Sequence, residues 1–219
     1  MAKVKNFMSG LTHCIGAALS LVGLVVLIIF ASINGDSFDI VSFTLFGTGL
    51  LLTYLFSTLY HWLNISEKGI RVFKKFENIM VYLFIAVSYT TICFGPLRGP
   101  WGWSIFGIIW GLATLGIIFS SIWIKMPKAA SIPINISIIF TSIMTLIPLI
   151  SVYKQANILY SLLWLALSIF FYIVGAIINF FKWPKGKFKQ FGFHELFHIL
   201  VLFGSARQYW FILSYITIF

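Results

Sequence analysis

The chain is 219 residues long, with 60% hydrophobic residues, only 9% charged residues and a mean hydropathy of +1.01. A soluble domain carries about 25% charged residues, so these charges cannot cover a water-facing surface and a soluble globular domain is excluded. The net charge of +10 does not point to nucleic acid, because the basic residues sit in short segments between apolar runs, where membrane topology places them.

Crossing hydrocarbon takes about 20 apolar residues per helix, so this length suits seven spans with short connections in a single domain, 1–219. Only helices or closed barrels span lipid. The apolar runs are about twice the length of a barrel strand and do not alternate in polarity, so helices are expected. The first run, 11–33, follows Lys3 and Lys5 and superficially resembles a signal peptide. It is too long for a signal-peptide core of about 7–15 residues, and reads as a retained first helix after a short cytoplasmic segment, 1–10. The second span is expected over 40–63, the third over 79–94 and the fourth over 101–124. The fifth, 129–152, contains Pro133 and Pro148, which should bend or loosen it. The sixth covers 158–181 and the seventh 193–217. Cys14 and Cys93, the two cysteines, fall at opposite ends of their spans, so no disulfide is expected between them.

Basic residues orient the bundle. With a cytoplasmic N-terminus, the inside segments hold Lys3, Lys5, Lys68, Arg71, Lys74, Lys75, Lys125, Lys128, Lys182, Lys185, Lys187 and Lys189, and the outside segments hold Arg98 and Lys154. Arg207 falls within the last span. Lys and Arg concentrate on the cytoplasmic side, so the expectation is N-in, C-out. Asp36 and Asp39 in the first outer loop agree.

On that topology the polar residues gather at one level. His13 lies near the start of the first helix, His61 at the end of the second, Glu77 at the start of the third, and His194 and His198 open the seventh. All five fall near the cytoplasmic face. His194 and His198, spaced i, i+4, share one helix face and can grip one metal ion. With His61 they make three imidazole ligands, a set that suits zinc and leaves a tetrahedral position open, as in catalytic sites. Glu77 is then placed to orient water or take its proton, and Ser57, one turn before His61, to assist. Plainer readings compete: a histidine at a membrane interface is often simply solvated, Ser57 can bond its own i−4 carbonyl, and Glu77 can merely end a basic loop. His13 reads as a ligand, a supporting group or an interfacial residue. His194-Glu195-Leu196-Phe197-His198 also matches H-E-x-x-H literally, which would make Glu195 the base of a metalloprotease. That reading lacks an obvious third ligand and leaves His61 and Glu77 unexplained.

Taken together, Ser57-x3-His61, the acidic Glu77 and His194-x3-His198 resemble the haemolysin III branch of the progestin and adipoQ receptor family, a relative of the alkaline ceramidases. Gly10-Leu11-Thr12-His13 with Gly16, Tyr60-His61, and Gly192-Phe193-His194-Glu195-Leu196-Phe197-His198 add to the likeness, which covers nearly the whole chain. The resemblance implies an all-α bundle of seven transmembrane helices with a cytoplasmic N-terminus and an extracytoplasmic C-terminus. It implies zinc held by His61, His194 and His198, with Ser57 and Glu77 around the metal and His13 and Glu195 as candidate bracing groups. The ceramidases hydrolyse lipid amides, and bacterial members are linked to haemolysis and membrane-lipid homeostasis. The chain departs from the pattern at Glu77-Asn78, where the family usually has Asp-His, at Ser9, where it has Asn, and at Gln208, where a histidine is common.

The expected function is a multi-pass plasma-membrane protein that hydrolyses a lipid amide or ester with Zn2+ from the cytoplasmic side. Its partners are membrane lipids, a lipid substrate among them, and no nucleic acid. The alternatives are a pore-forming, cytolytic protein and a lipid-sensing receptor, each with structural zinc. A pore calls for polar stripes through the full depth of several helices, whereas the polar residues here cluster at one end. The charge bias makes a direct prediction. Topology reporters fused at Met1 and at Phe219 report opposite sides of the membrane, and signals from one side would mean an even number of spans.

Overall fold

The computed structural model describes residues 7–185 and 191–218. Among these, the long elements are all helices, and seven are long and apolar enough to cross a membrane. They are α1 (Phe7–Asn34), α2 (Ser37–Trp62), α3 (Glu67–Phe94), α4 (Pro100–Ile122), α5 (Lys128–Gln155), α6 (Leu162–Phe181) and α7 (Phe193–Ile218). A single 3-10 turn, Leu159–Ser161, leads into α6. Lys3, Lys5, Lys187 and Lys189, which contribute to the charge bias, lie outside the described residues.

Short connections force neighbours to run antiparallel. Each helix from α1 to α4 packs on the next, α4 packs on α5, and α6 packs on α7. The arrangement closes where α7 returns against α1 and touches α2. The turn between α1 and α2 is two residues. Asp36 makes it possible as the N-cap of α2: its side chain accepts from Phe38 and Asp39 backbone N–H groups, and the Asp39 carboxylate accepts the Asp36 N–H at 3.1 Å. This reciprocal box satisfies donors that a helix start leaves orphaned. At α4, Gly99 takes φ 114°, a conformation that favours glycine, and Pro100 opens the helix, where its missing N–H is no loss.

The third helix departs from expectation. It begins at Glu67, twelve residues before the anticipated 79, so Lys68, Arg71, Lys74 and Lys75 lie on a helix rather than in a loop. The cause is local. Ser66 caps the start by accepting from the Gly69 N–H, and Glu67 pairs with Arg71 one turn on, at 3.7 Å. Phe73 and Phe76 both contact Phe56 of α2. Charge density ended the apolar run, but an amphipathic helix continues past it. Lys75 and Asn78 donate to the carbonyls of Ser121 and Ile124 at the end of α4. The ten helical residues before Glu77 therefore span about 15 Å. The fifth helix runs unbroken through Pro133 and Pro148, and Cys14 and Cys93 are free thiols.

Polarity is inside out. Phe180, Phe170, Ile147 and Leu19 are among the many exposed large apolar side chains, whereas Ser9, His13, Ser57, His61, Thr90, Thr145, Glu195 and His198 are buried. In water that distribution would be untenable. In lipid it is the stable one, because hydrocarbon accepts the apolar face and polar groups must find partners within the protein. The chain is thus a multi-pass integral membrane protein. At the end remote from the histidines, Arg98 in the α3–α4 loop pairs with Asp36 and, at 2.8 Å, with Asp39. That clasp ties the α1–α2 turn to α3, and its hydrogen bonds hold the Asp36 carboxyl below the usual range.

Close helix approach is clearest at Gly102. A Cβ there would sit 2.4 Å from the backbone oxygens of both Cys93 and Leu97, which cannot swing away, whereas at Gly107 nothing lies within 4 Å. Gly102→Ala is therefore expected to destabilise the protein by about 1–3 kcal/mol. Gly107→Ala should leave the apparent melting temperature in detergent unchanged or slightly raised, and equal losses for the two would contradict this packing.

Candidate metal centre

α7 starts where Gly192 and Glu195 let it. The Glu195 carboxylate accepts the Gly192 N–H at 2.8 Å, so it closes the first turn from the third helical position. Its other oxygen accepts from the Ser9 hydroxyl of α1 at 2.6 Å. One oxygen thus closes the start of α7 and the other ties it to α1. The carboxylate thus lies on Ser9 and the start of its own helix, whereas the carboxylate beside the three histidines is Glu77.

With its start so anchored, α7 brings His194 and His198 to His61, which sits in the last turn of α2. One nitrogen from each ring lies within 4.8 Å of the others, and the three side chains are buried or half-buried. His61 Nε2 and His194 Nε2 are 3.3 Å apart. Two nitrogens bound to one tetrahedral zinc at about 2.0–2.1 Å would be separated by about 3.3 Å. His198 Nδ1 lies 3.2 Å from the Ser9 carbonyl oxygen. A carbonyl only accepts, so Nδ1 carries the hydrogen and Nε2 keeps its lone pair for a ligand. That is the hydrogen-bonding habit of metal-bound histidines. The donor set fits a metal ion, and imidazole nitrogens favour zinc among common candidates.

Glu77 lies beside this group without joining it. Its Oε1 is 3.6 Å from His61 Nε2 and accepts from the Ser57 hydroxyl at 3.1 Å. Ser57 thus reaches across to α3 instead of bonding its own helix. The other oxygen, Oε2, is paired with Lys74, whose ammonium also lies 4.8 Å from the centroid of the Tyr60 ring. Lys74 was not singled out in the sequence. Its signal is the i, i+3 spacing to Glu77, which counts only once α3 is known to be helical there.

His13 is buried and stacks flat on His198, with ring centroids 3.6 Å apart and planes 9° apart. It is not among the converging donors, and neither of its ring nitrogens has a hydrogen-bond partner among the described residues. It packs face-on against His198. Deeper in the bundle the sequence reading missed a second polar layer. Tyr54 of α2, edge-on to His13, hydrogen-bonds Ser205 of α7, and Tyr172 of α6 donates to Gln208 at 3.1 Å. The signal was present on α7, where His198, Ser205 and Gln208 recur at helical spacing along one side.

Comparison with known proteins covers this part of the chain. Residues 1–209 match the family described as "Haemolysin-III related". The chain is 38% identical over 216 residues to "Hemolysin-3" of Bacillus cereus, covering 95% of this chain and 90% of that protein. It is 36% identical over 208 residues to "Hemolysin-3 homolog" of Bacillus subtilis (strain 168), covering 94% and 92%. The geometry predicts one shared site. His61→Ala, His194→Ala and His198→Ala each abolish metal retention by the purified protein to a similar degree, measured by elemental analysis after dialysis. Full retention in His61→Ala would place the third ligand elsewhere.

Proposed function

This chain belongs to the haemolysin-III-related family, and from that premise we propose that it is a zinc-dependent hydrolase of a lipid amide or ester, working at the cytoplasmic side of the membrane. The observation that carries this reading is the pairing of three converging histidines with a carboxylate held 3.6 Å from one of them.

His61, His194 and His198 would hold the zinc. Bound there, zinc would polarise a carbonyl and make water acidic enough to attack it near neutral pH. Glu77 supplies the base. Its Oε1 removes a proton from the attacking water and returns it to the departing nitrogen or oxygen, so the acyl bond is exchanged for a carboxylic acid and an amine or alcohol. The Ser57 hydroxyl, donating to Oε1, keeps that oxygen aimed. His13 and Glu195 touch no reacting atom. One packs on His198 and the other fixes the start of α7. A lipid substrate reaches the site from the membrane, and the product amine or acid returns there, which fits a role in membrane-lipid homeostasis. The charge bias supports the cytoplasmic placement of this end, with the N-terminus inside and the C-terminus outside.

A second reading takes its support from the relatives, two of which carry the name Hemolysin-3 or its homolog. In it the protein lyses membranes and zinc is structural. The deeper polar residues weigh against a pore. Tyr54 with Ser205 and Tyr172 with Gln208 are paired across packed helices, which uses their hydrogen-bonding capacity within the bundle.

One substitution separates the readings. Glu77→Gln keeps the size of the side chain and removes its charge, and loss of a general base slows a reaction by about 10²–10⁴-fold. The variant is expected to retain zinc and folding and to lose hydrolysis of acyl-amide or acyl-ester lipids in a vesicle assay. Full hydrolytic activity would remove Glu77 from the base role. Lysis of erythrocytes by wild type that survives zinc removal would support the lytic reading instead.

A further inference from the structure

A carboxylate so close to a metal centre raises a problem of its own. Carboxylate oxygen is itself a zinc ligand, and Glu77 Oε1 already lies 3.6 Å from His61 Nε2. Three rotatable bonds let a glutamate carboxylate travel further than that. In a site largely removed from water, attraction between a carboxylate and a divalent cation is strong, because little solvent screens it. Three histidines and a glutamate would make a closed tetrahedral site of the structural kind. Catalysis needs the fourth position open.

We propose that Lys74 is a positioning residue that holds Glu77 out of the metal's coordination shell and so keeps that position open. The inference rests on the metal centre argued above and adds to it the residue that governs the centre's openness.

Glu77 is restrained from two sides. The Ser57 hydroxyl holds Oε1 from α2, and the Lys74 ammonium holds Oε2 from within α3. The two restraints differ in kind. A neutral hydroxyl donates one hydrogen bond, but the ammonium also balances the carboxylate's charge, so the carboxylate gains less by turning to a cation. Lys74 is itself anchored. Its ammonium packs over the Tyr60 ring, the residue next to His61, and about a third of its side chain is exposed. This partly exposed position matters, since a fully buried lysine would bear a large desolvation penalty. Geometry assigns the task to Lys74 among the nearby basic residues. Lys75 is occupied with the Ser121 carbonyl at the end of α4, and Arg71 faces outward to Glu67. The early start of α3 is what sets Lys74 one turn from Glu77. Had the segment been the loop expected from the charge pattern, no such register would exist.

The test reads coordination and not turnover. The purified protein is loaded with cobalt(II), whose visible absorption reports ligand number and exchange, and is titrated with imidazole, a neutral small ligand whose access charge does not bias. In wild type, imidazole should enter the open position and shift the spectrum. Lys74→Met should bind cobalt more tightly against a chelator and lose the imidazole response, because Glu77 fills the position. The double substitution Lys74→Met with Glu77→Gln should regain the response, a rescue that a merely structural role of Lys74 would not give. Should Lys74→Met fail to fold, Lys74→Gln carries the same expectation. An imidazole response in the lysine variant equal to wild type overturns the proposal, as does a double variant that stays unresponsive. Wild type that binds cobalt but ignores imidazole overturns it too while leaving the metal centre intact. Wild type that binds no cobalt removes the metal centre and this inference together.

Discussion

Hydrocarbon offers no partner to a polar group, and an unsatisfied one costs several kcal/mol there. Nearly everything distinctive in this structure follows from that constraint, and Ser9 shows how. Its hydroxyl donates to Glu195 and its carbonyl accepts from His198. One residue of α1 thus satisfies a buried carboxylate and a buried imidazole of α7, and joins the first helix to the last. The same two bonds set the start of α7 and the tautomer of His198. Closure of the bundle and preparation of the site are one event.

The site gathers groups that one metal ion could hold together. Two imidazole nitrogens face each other at 3.3 Å, and a third ring converges on them. A shared metal ion could take a lone pair from each. Glu77, Ser57 and Lys74 form a separate unit alongside, in which the carboxylate has a partner on each oxygen. The site therefore divides into three histidines that could hold a metal ion and a separate carboxylate unit beside them. Holding these parts to within about 0.5 Å is what functional sites require of their supports.

The supports are distributed over the fold's length. The Arg98 clasp on Asp36 and Asp39 closes the end of the bundle remote from the histidines. Between the two ends, Tyr54 with Ser205 and Tyr172 with Gln208 link α2, α6 and α7. Small residues let backbones approach where no polar bond is made, as at Gly102 against Cys93 and Leu97. Membrane helices associate by such close packing and by interhelical hydrogen bonds, since lipid removes the hydrophobic drive between them.

Much of this was legible in the chain itself. Seven apolar runs of spanning length leave helices as the only economical solution, and the runs over 11–33, 40–63 and 193–217 lie inside or nearly inside α1, α2 and α7. The i, i+4 spacing of His194 and His198, and the level they share with His61 and Glu77, marked the histidine cluster, because helix geometry and alternating direction convert sequence position into depth. What sequence position does not encode is rotation and partner choice. Whether Ser57 turns to its own carbonyl or to Glu77, and whether Glu195 faces water or Ser9, depends on how adjacent helices are rotated about their axes, and packing alone decides that. The start of α3 was hidden for a related reason: charges mark where lipid ends but not where a helix does. Lys74 acquires its place beside Glu77 only from that tertiary outcome.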